Sequence, residues 1–364
     1  MIRRRFTACL LIAVMTLMIA ITCMPETYVF ADTSDYDGPQ SSFEYKKYKD
    51  VDDYMAILNK RMNGVYNTFS TGMINSKTIP IPGLVETYTV QDGKNLKSSK
   101  FVPQGLCKAG KYMLITAYDV KKKRNSVIYA VDMDNYSLVS TLTMPNKYHA
   151  GGIAFDGENI WMTGDTSDKY KGDPFVQYMT YETFERLIQE PLCEVSEDDI
   201  SGHIFIKNKP SFLECNEGVL WVGTYIGRKG TYEGYMNGYK IVGEPGNRKL
   251  NTIMYSMIAG IDSSAQGADI DGRYLYVSSS YKGAVPGVKT SFITKYDLGT
   301  LGNRASEIYV DNKEVSRIEV PKMNEEILVD GQTIHINFES GADQWRTAVV
   351  NTDRIIAVKS SVWR

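Results

Sequence analysis

The sequence predicts an all-β fold: a five-bladed β-propeller with a short N-terminal helical extension. Three observations predict it. A two-strand unit with a glycine at its turn recurs five times. Further strand-like segments follow the units and bring the content to four strands per repeat, as in a propeller blade. The two ends of the array are each incomplete in a way that lets them complete one another, which would remove both exposed sheet edges.

Composition fits such a fold and narrows the function. The chain has 364 residues, with 41 basic against 43 acidic side chains and a net charge of −2. Apolar types make up 43% and charged types 23%, which excludes a disordered chain and a multi-span membrane protein. Without a basic excess, nucleic acid is not an expected partner. The 30 glycines and 25 tyrosines suit strands joined by tight turns.

In chain order, Arg3, Arg4 and Arg5 precede an uncharged apolar run over 6–25, and Val29 and Ala31 flank a cut before Asp32. This is the pattern of a secretory signal peptide over 1–31. An uncleaved anchor, or a lipoprotein modified at Cys23, are the other readings. Each places the remainder outside the cytoplasm. The mature chain is expected to be secreted, with no membrane attachment after cleavage. Residues 32–82 form an extension and linker. Within it Val51, Tyr54, Met55, Leu58 and Met62 have helical spacing and predict a helix over 50–66 that packs on the propeller. Cys107, Cys193 and Cys215 remain in the mature chain, too few for a disulfide framework, with Cys193 and Cys215 as the nearer pair.

The propeller occupies 83–364. Its repeated units are 104–117, 152–164, 211–225, 267–280 and 326–340, with turn glycines at Gly110, Gly157, Gly218, Gly272 and Gly331. Three turns are Asp-Gly, a strong hairpin signal. Third strands are expected at 126–133 and 291–298, and fourth strands at 138–144 and 316–321. The last repeat has a third strand at 353–363 and lacks a fourth; the strand at 85–90 is expected to supply it. A helix is expected over 178–189, with Glu182 and Arg186 paired on a solvated face. The glycine-rich stretch 227–250 reads as a long surface loop.

In this geometry the residues before each first strand and after each second strand gather on one face. The first set is Gln104, His149, Lys209, Gln266 and Glu325; the second is Asp119, Asp165, Tyr225, Tyr281 and Glu339. Together they would form a ligand funnel. The expected ligand-binding residues are Gln104, His149, Asp165, Gln266, Glu325 and Glu339, joined by Trp345 and Arg346 from the loop 338–346. His149 stands out because Gly151 and Gly152 beside it would admit a ligand close to the backbone. His335 is expected to be tucked between blades. Glu325, Glu326 and Glu339, with Asp119 and Asp165, are the carboxyls from which an acid–base pair would be drawn. The chain has no nucleophile elbow, zinc-protease helix, phosphate loop, dinucleotide fingerprint or CxxC pair. No metal and no cofactor are expected.

The repeats are similar to those of secreted bacterial five-bladed propellers. The run 101–106, FVPQGL, also resembles the repeat start of plant-type glutaminyl cyclases, and Phe338-Glu339-Ser340 resembles the end of a second strand in that family. There both features lie in one blade; here they lie in different blades, and the strand after Gln104 ends in Thr116-Ala117. The resemblance implies a catalytic Glu339. The expected function is therefore an extracellular propeller, acting as a monomer, that binds a glycan, peptide or cell-envelope ligand on the funnel face. The alternative is a secreted enzyme, either a glycosidase or lyase using His149 and carboxylates, or an aminoacyl cyclase using Glu339.

Overall fold

The computed structural model describes residues 38–62, 64–164, 173–227, 233–251, 256–280, 290–299, 307–345 and 350–364. The five units become five antiparallel blades. Their inner strands are Phe101–Ala109, Ile153–Phe155, Phe212–Asn216, Ala265–Asp271 and Asn324–Asp330. Each packs on the next, and the fifth packs on the first, so the ring is closed. The five turn glycines all have positive φ, from 58° at Gly272 to 96° at Gly157, where a side chain would strain the hairpin. Second strands, such as Tyr112–Asp119 and Thr333–Phe338, are buried along most of their length and supply much of the core.

Closure is achieved by a different segment from the one expected. The fourth strand of blade five is Ile79–Pro80, paired antiparallel with Ile355 and Arg354. The Ile74 N–H donates to Ala357 O (2.8 Å) and the Ile81 N–H to Asp353 O (3.2 Å), extending the contact in both directions. Pro80 has no N–H to offer, which an outermost strand tolerates. The expected strand instead forms a hairpin, Thr87–Gln91 with Lys94–Ser98. Its turn is Asp92-Gly93, both at positive φ, so it has a partner only two residues away. The hairpin lies on the outer edge of blade one, where the Val90 N–H donates to Thr143 Oγ1 (3.0 Å) and the Glu194 carboxylate accepts from Asp92 N (3.1 Å).

Insertions lace neighbouring blades together. The strand Leu192–Glu194, from the insertion in blade two, adds parallel to the edge of blade one. Likewise Glu307–Tyr309, from blade four, adds to blade three. Part of the stretch expected as a surface loop at 227–250 is strand: Gly234–Val242 is the third strand of blade three, and Lys249–Leu250 pairs with it. Gly238 faces Trp221 there, and a Cβ at this position would crowd the Trp221 ring and Val219 at 3.0 Å, so this glycine serves packing.

The extension forms a helix, α1 (Val51–Met62), as the spacing predicted, with Tyr54 and Leu58 fully buried against the propeller. A shorter helix, α2 (Asn67–Gly72), leads to the closing strand. The helix inserted in blade two, α3 (Tyr181–Leu187), is capped by the Thr180 hydroxyl, which accepts from Thr183 N (3.1 Å). Its Arg186 pairs with Asp199 and not with Glu182. Cys193 lies in an outermost strand and Cys215 in an inner strand of another blade, and Cys107, Cys193 and Cys215 are free thiols.

Candidate functional site

The inner strands carry the site. In three of them the pairing with the second strand slips near its start, between Pro103 and Leu106, Ala265 and Gly267, and Asn324 and Ile327. The residues left in these bulges are the pair Gln104–Gly105, Gln266 and the pair Glu325–Glu326. A bulge turns a side chain out of the regular alternation. Gln104, Gln266 and Glu325 thereby face a common cavity of about 280 Å³, together with His149, Lys209, Tyr225 and Glu339. Lys122, Thr163 and Ser211 complete its polar wall. Every blade contributes.

Threonines of the second strands of blades one and two stabilise the opening. Thr116 Oγ1 accepts from Gly105 N (2.8 Å) and donates to Ala150 O (2.6 Å), bridging blades one and two. Thr163 Oγ1 accepts from Gly152 N (3.1 Å). The two segments with cyclase-like sequence meet across the seam between blades five and one: Asn337 Nδ2 donates to Gln104 O (2.8 Å).

Gln104, Glu325 and Glu339 are almost wholly removed from solvent. Gln266 Nε2 donates to Glu325 Oε1 at 3.3 Å. The His149 ring stacks on Tyr118, centroid to centroid 4.4 Å. Burial, reinforced by the negative charge of Glu339, pushes the Tyr118 hydroxyl up to about 12, so it serves as a neutral donor. Gly151 and Gly152 do admit a close neighbour, but it is the backbone of blade three. A Cβ would lie 2.4 Å from Ser211 O at Gly151 and 2.5 Å from Leu213 N at Gly152. Three residues at this face, Lys122 (φ 52°), Ala150 (φ 52°) and Met323 (φ 65°), hold left-handed backbone without being glycine. Such conformations cost about 1 kcal/mol each and concentrate where geometry serves a ligand.

Not every expected residue joins the cavity. Trp345 packs against the core beside blade five. Its neighbour Asp343 binds Lys46 (2.7 Å) and Lys100 (2.9 Å), tying the extension to blade one. Asp119 turns away into its own loop, where its carboxylate accepts from the backbone of Lys121, Lys123 and Arg124. Asp165, Tyr281 and Arg346 lie outside the described residues.

A second acidic group was not visible as a set in the sequence. Glu214, Asp269 and Glu326 lie on three inner strands, deeper than the cavity. Burial and mutual repulsion push Glu214 well up, and burial raises Asp269 to about 7 and Glu326 well above the carboxylate range. Glu214 and Asp269 keep some surface open, but between inner strands where desolvation still dominates. Glu326 Oε1 reaches across the blade seam to Ala268 N (2.8 Å), over Gly267, where a Cβ would be 2.2 Å away. Asp269 Oδ2 returns the bond by accepting from Val329 N (2.8 Å). These carboxyls join blades four and five. Among the described residues, no group of three or more His, Cys, Asp or Glu has the arrangement to hold a metal ion.

No family model and no curated protein matches the chain. It is similar in structure to a glutaminyl cyclase of Myxococcus xanthus, at 10% identity and a TM-score of 0.41, over 75% of this chain and 93% of that one. BamB of Moraxella catarrhalis is similar at 10% identity and a TM-score of 0.30, over 79% and 71%. Hydrazine synthase of Kuenenia stuttgartiensis is similar at 11% identity and a TM-score of 0.33, over 68% and 58%.

Proposed function

We propose that this propeller binds a small polar ligand unit, a glycan, peptide or cell-envelope component, in the cavity on its funnel face. One observation carries the reading: three inner strands depart from regular pairing at the residues that face this cavity. Each of the three bulges points an amide or a carboxyl into this hollow, beyond the seam bonds that the bulges also make. The volume, just under the ~300 Å³ at which drug-sized sites begin, fits a single sugar ring or amino acid. Glu325 and Glu339 supply acceptors, Lys122 and Lys209 donors, and Tyr225 and His149 flat faces.

The test is a glycan and peptide array on the mature protein, followed by titration of the bound compound against variants. His149→Ala or Glu339→Gln is expected to weaken binding about tenfold or more, the scale of one charged hydrogen bond, with little change in melting temperature. Unchanged binding with a large loss of stability would assign both residues to the core. An extracytoplasmic location belongs to the same proposal. It predicts a mature N-terminus at Asp32, readable by mass analysis of the secreted product. Among the described residues no helix is long and apolar enough to cross a membrane.

A further inference from the structure

A second hollow, of about 330 Å³, adjoins the funnel. Three chain segments line the outer hollow, and each also sends a residue to the funnel or lies within three residues of one that does. Gln104, Lys122 and Glu339 face the funnel, while Val102, Lys121 and Ala342, two or three residues away at most, face the second hollow. Tyr118 stands between them, its ring on His149 and its hydroxyl bonded to the Gln344 side chain, which lines the outer hollow. The outer hollow has an apolar wall of Phe101, Val102, Val120 and Ala342, edged by Lys100, Lys121, Gln344 and by Asp343, whose charge Lys100 and Lys46 offset.

The charge here departs from that of the whole chain, which is −2. Lys121, Lys122, Lys123 and Arg124 are consecutive, and the three lysines are exposed. Their loop is held rigidly by Asp119, whose carboxylate accepts three backbone N–H groups at 3.0–3.1 Å while its carbonyl accepts from Lys122 N at 2.8 Å. Gln91 and Asn125 bond each other at the loop base. Lys122 occupies left-handed backbone that glycine or asparagine would adopt more cheaply, and its side chain reaches the funnel wall. Nearby, two lysines, Lys46 and Lys100, share one carboxylate, Asp343, leaving excess positive charge.

We infer that the outer hollow and the 121–124 loop form a subsite for a carboxylate-bearing oligosaccharide whose end enters the funnel. The inference builds on the funnel reading. The apolar wall takes the C–H faces of sugar rings while the lysines at its edge take ring carboxylates. A polyacidic peptide such as hexaglutamate has no ring C–H face to lay on that wall, and it brings no hydroxyls for Glu325 and Glu339 in the funnel to accept from. The field of several lysines held on a rigid loop is the type that screening by salt weakens strongly.

The test is calorimetric titration of the mature protein with hexagalacturonate, with uncharged cellohexaose and with hexaglutamate. The expected result is preferential binding of hexagalacturonate, weakened about tenfold by Lys121→Ala/Lys123→Ala and about tenfold between roughly 50 and 300 mM salt. Equal binding of the acidic and neutral sugars, insensitive to the lysine substitutions, overturns the inference and leaves the funnel reading standing. Tighter binding of hexaglutamate than of hexagalacturonate also overturns it. Lysine-sensitive binding of hexagalacturonate that His149→Ala leaves unchanged supports the subsite and overturns the funnel reading instead.

Discussion

Arg354 shows how one side chain can join two parts of the molecule. It is fully buried, and so is its partner Asp353, at 2.9 Å. Tyr45, Tyr54 and Tyr48 surround the guanidinium at 4.1, 4.7 and 5.5 Å from their ring centroids. Arg354 also donates to Asp50 O (2.7 Å), and Asp353 accepts from Lys47 N (2.7 Å). All the tyrosines come from the extension and both charges from blade five. A planar cation can donate at its edge and stack on its faces at once, which an ammonium cannot. Arg354→Ala would leave Asp353 buried and without its counter-charge, at a cost of about 3–5 kcal/mol. Arg354→Lys is expected to recover only part of that. Urea unfolding of the two variants measures both, and rapid proteolysis within 45–60 in the native state would show release of the extension.

Elements were legible in the sequence where local chemistry decided them. The five glycine turns marked the inner hairpins, and the spacing of Tyr54 and Leu58 marked α1. The closing strand was not legible because Ile79–Pro80 is short, contains proline and takes its partner from the far end of the chain. A further Asp-Gly at 92–93 was the signal that 87–91 already had a neighbour. The third strand of blade three was obscured by Gly234 and Gly238, which read as loop residues until Trp221 is seen above the second of them. A chain lacking residues 1–81 loses the outer strand of blade five and bares the edge of Arg354–Lys359. It is expected to melt at least ~5 °C lower and to form oligomers detectable by light scattering, since unpaired edges recruit one another. A stable monomer would show that closure contributes little.

For the whole molecule, buried ionisable groups oppose one another in their response to pH. His335 is fully buried, with no hydrogen-bond partner for either ring nitrogen among the described residues, and burial lowers it from 6.5 to about 4. Between those values the unfolded chain takes a proton that the folded one refuses, so stability falls as pH drops from 6.5 to 4, by about 3 kcal/mol at most. Asp269, raised from 3.8 to about 7, has the opposite sign: the folded chain holds the proton, and that contribution is lost as pH rises through 7. His335→Leu should flatten the acid side of a plot of melting temperature against pH. Asp269→Asn should flatten the rise-dependent loss up to pH 7. An acid limb unchanged by His335→Leu would place its origin elsewhere. The gathering of Gln104, His149, Gln266, Glu325 and Glu339 was legible because strand direction alone fixes which ends share a face. The acids Glu214 and Asp269 were not, because only the register of adjacent blades brings them near Glu326.

Ring closure by the extension also sets an order of events during synthesis. Thr78 Oγ1 accepts from Ala357 N across 279 residues of chain, so the segment made first waits for the segment made last. Blades one to four and the first three strands of blade five can pair from local hairpins as they emerge, whereas the fourth strand of blade five comes from the far end of the chain, and ordering so long a loop is slow. A nascent chain stalled before residue 353 would carry a four-bladed arc with α1 untethered. Pulsed hydrogen exchange during refolding should find Ile74 and Ile81 protected in the slowest phase, together with Ala357 and after the amides of the inner hairpins.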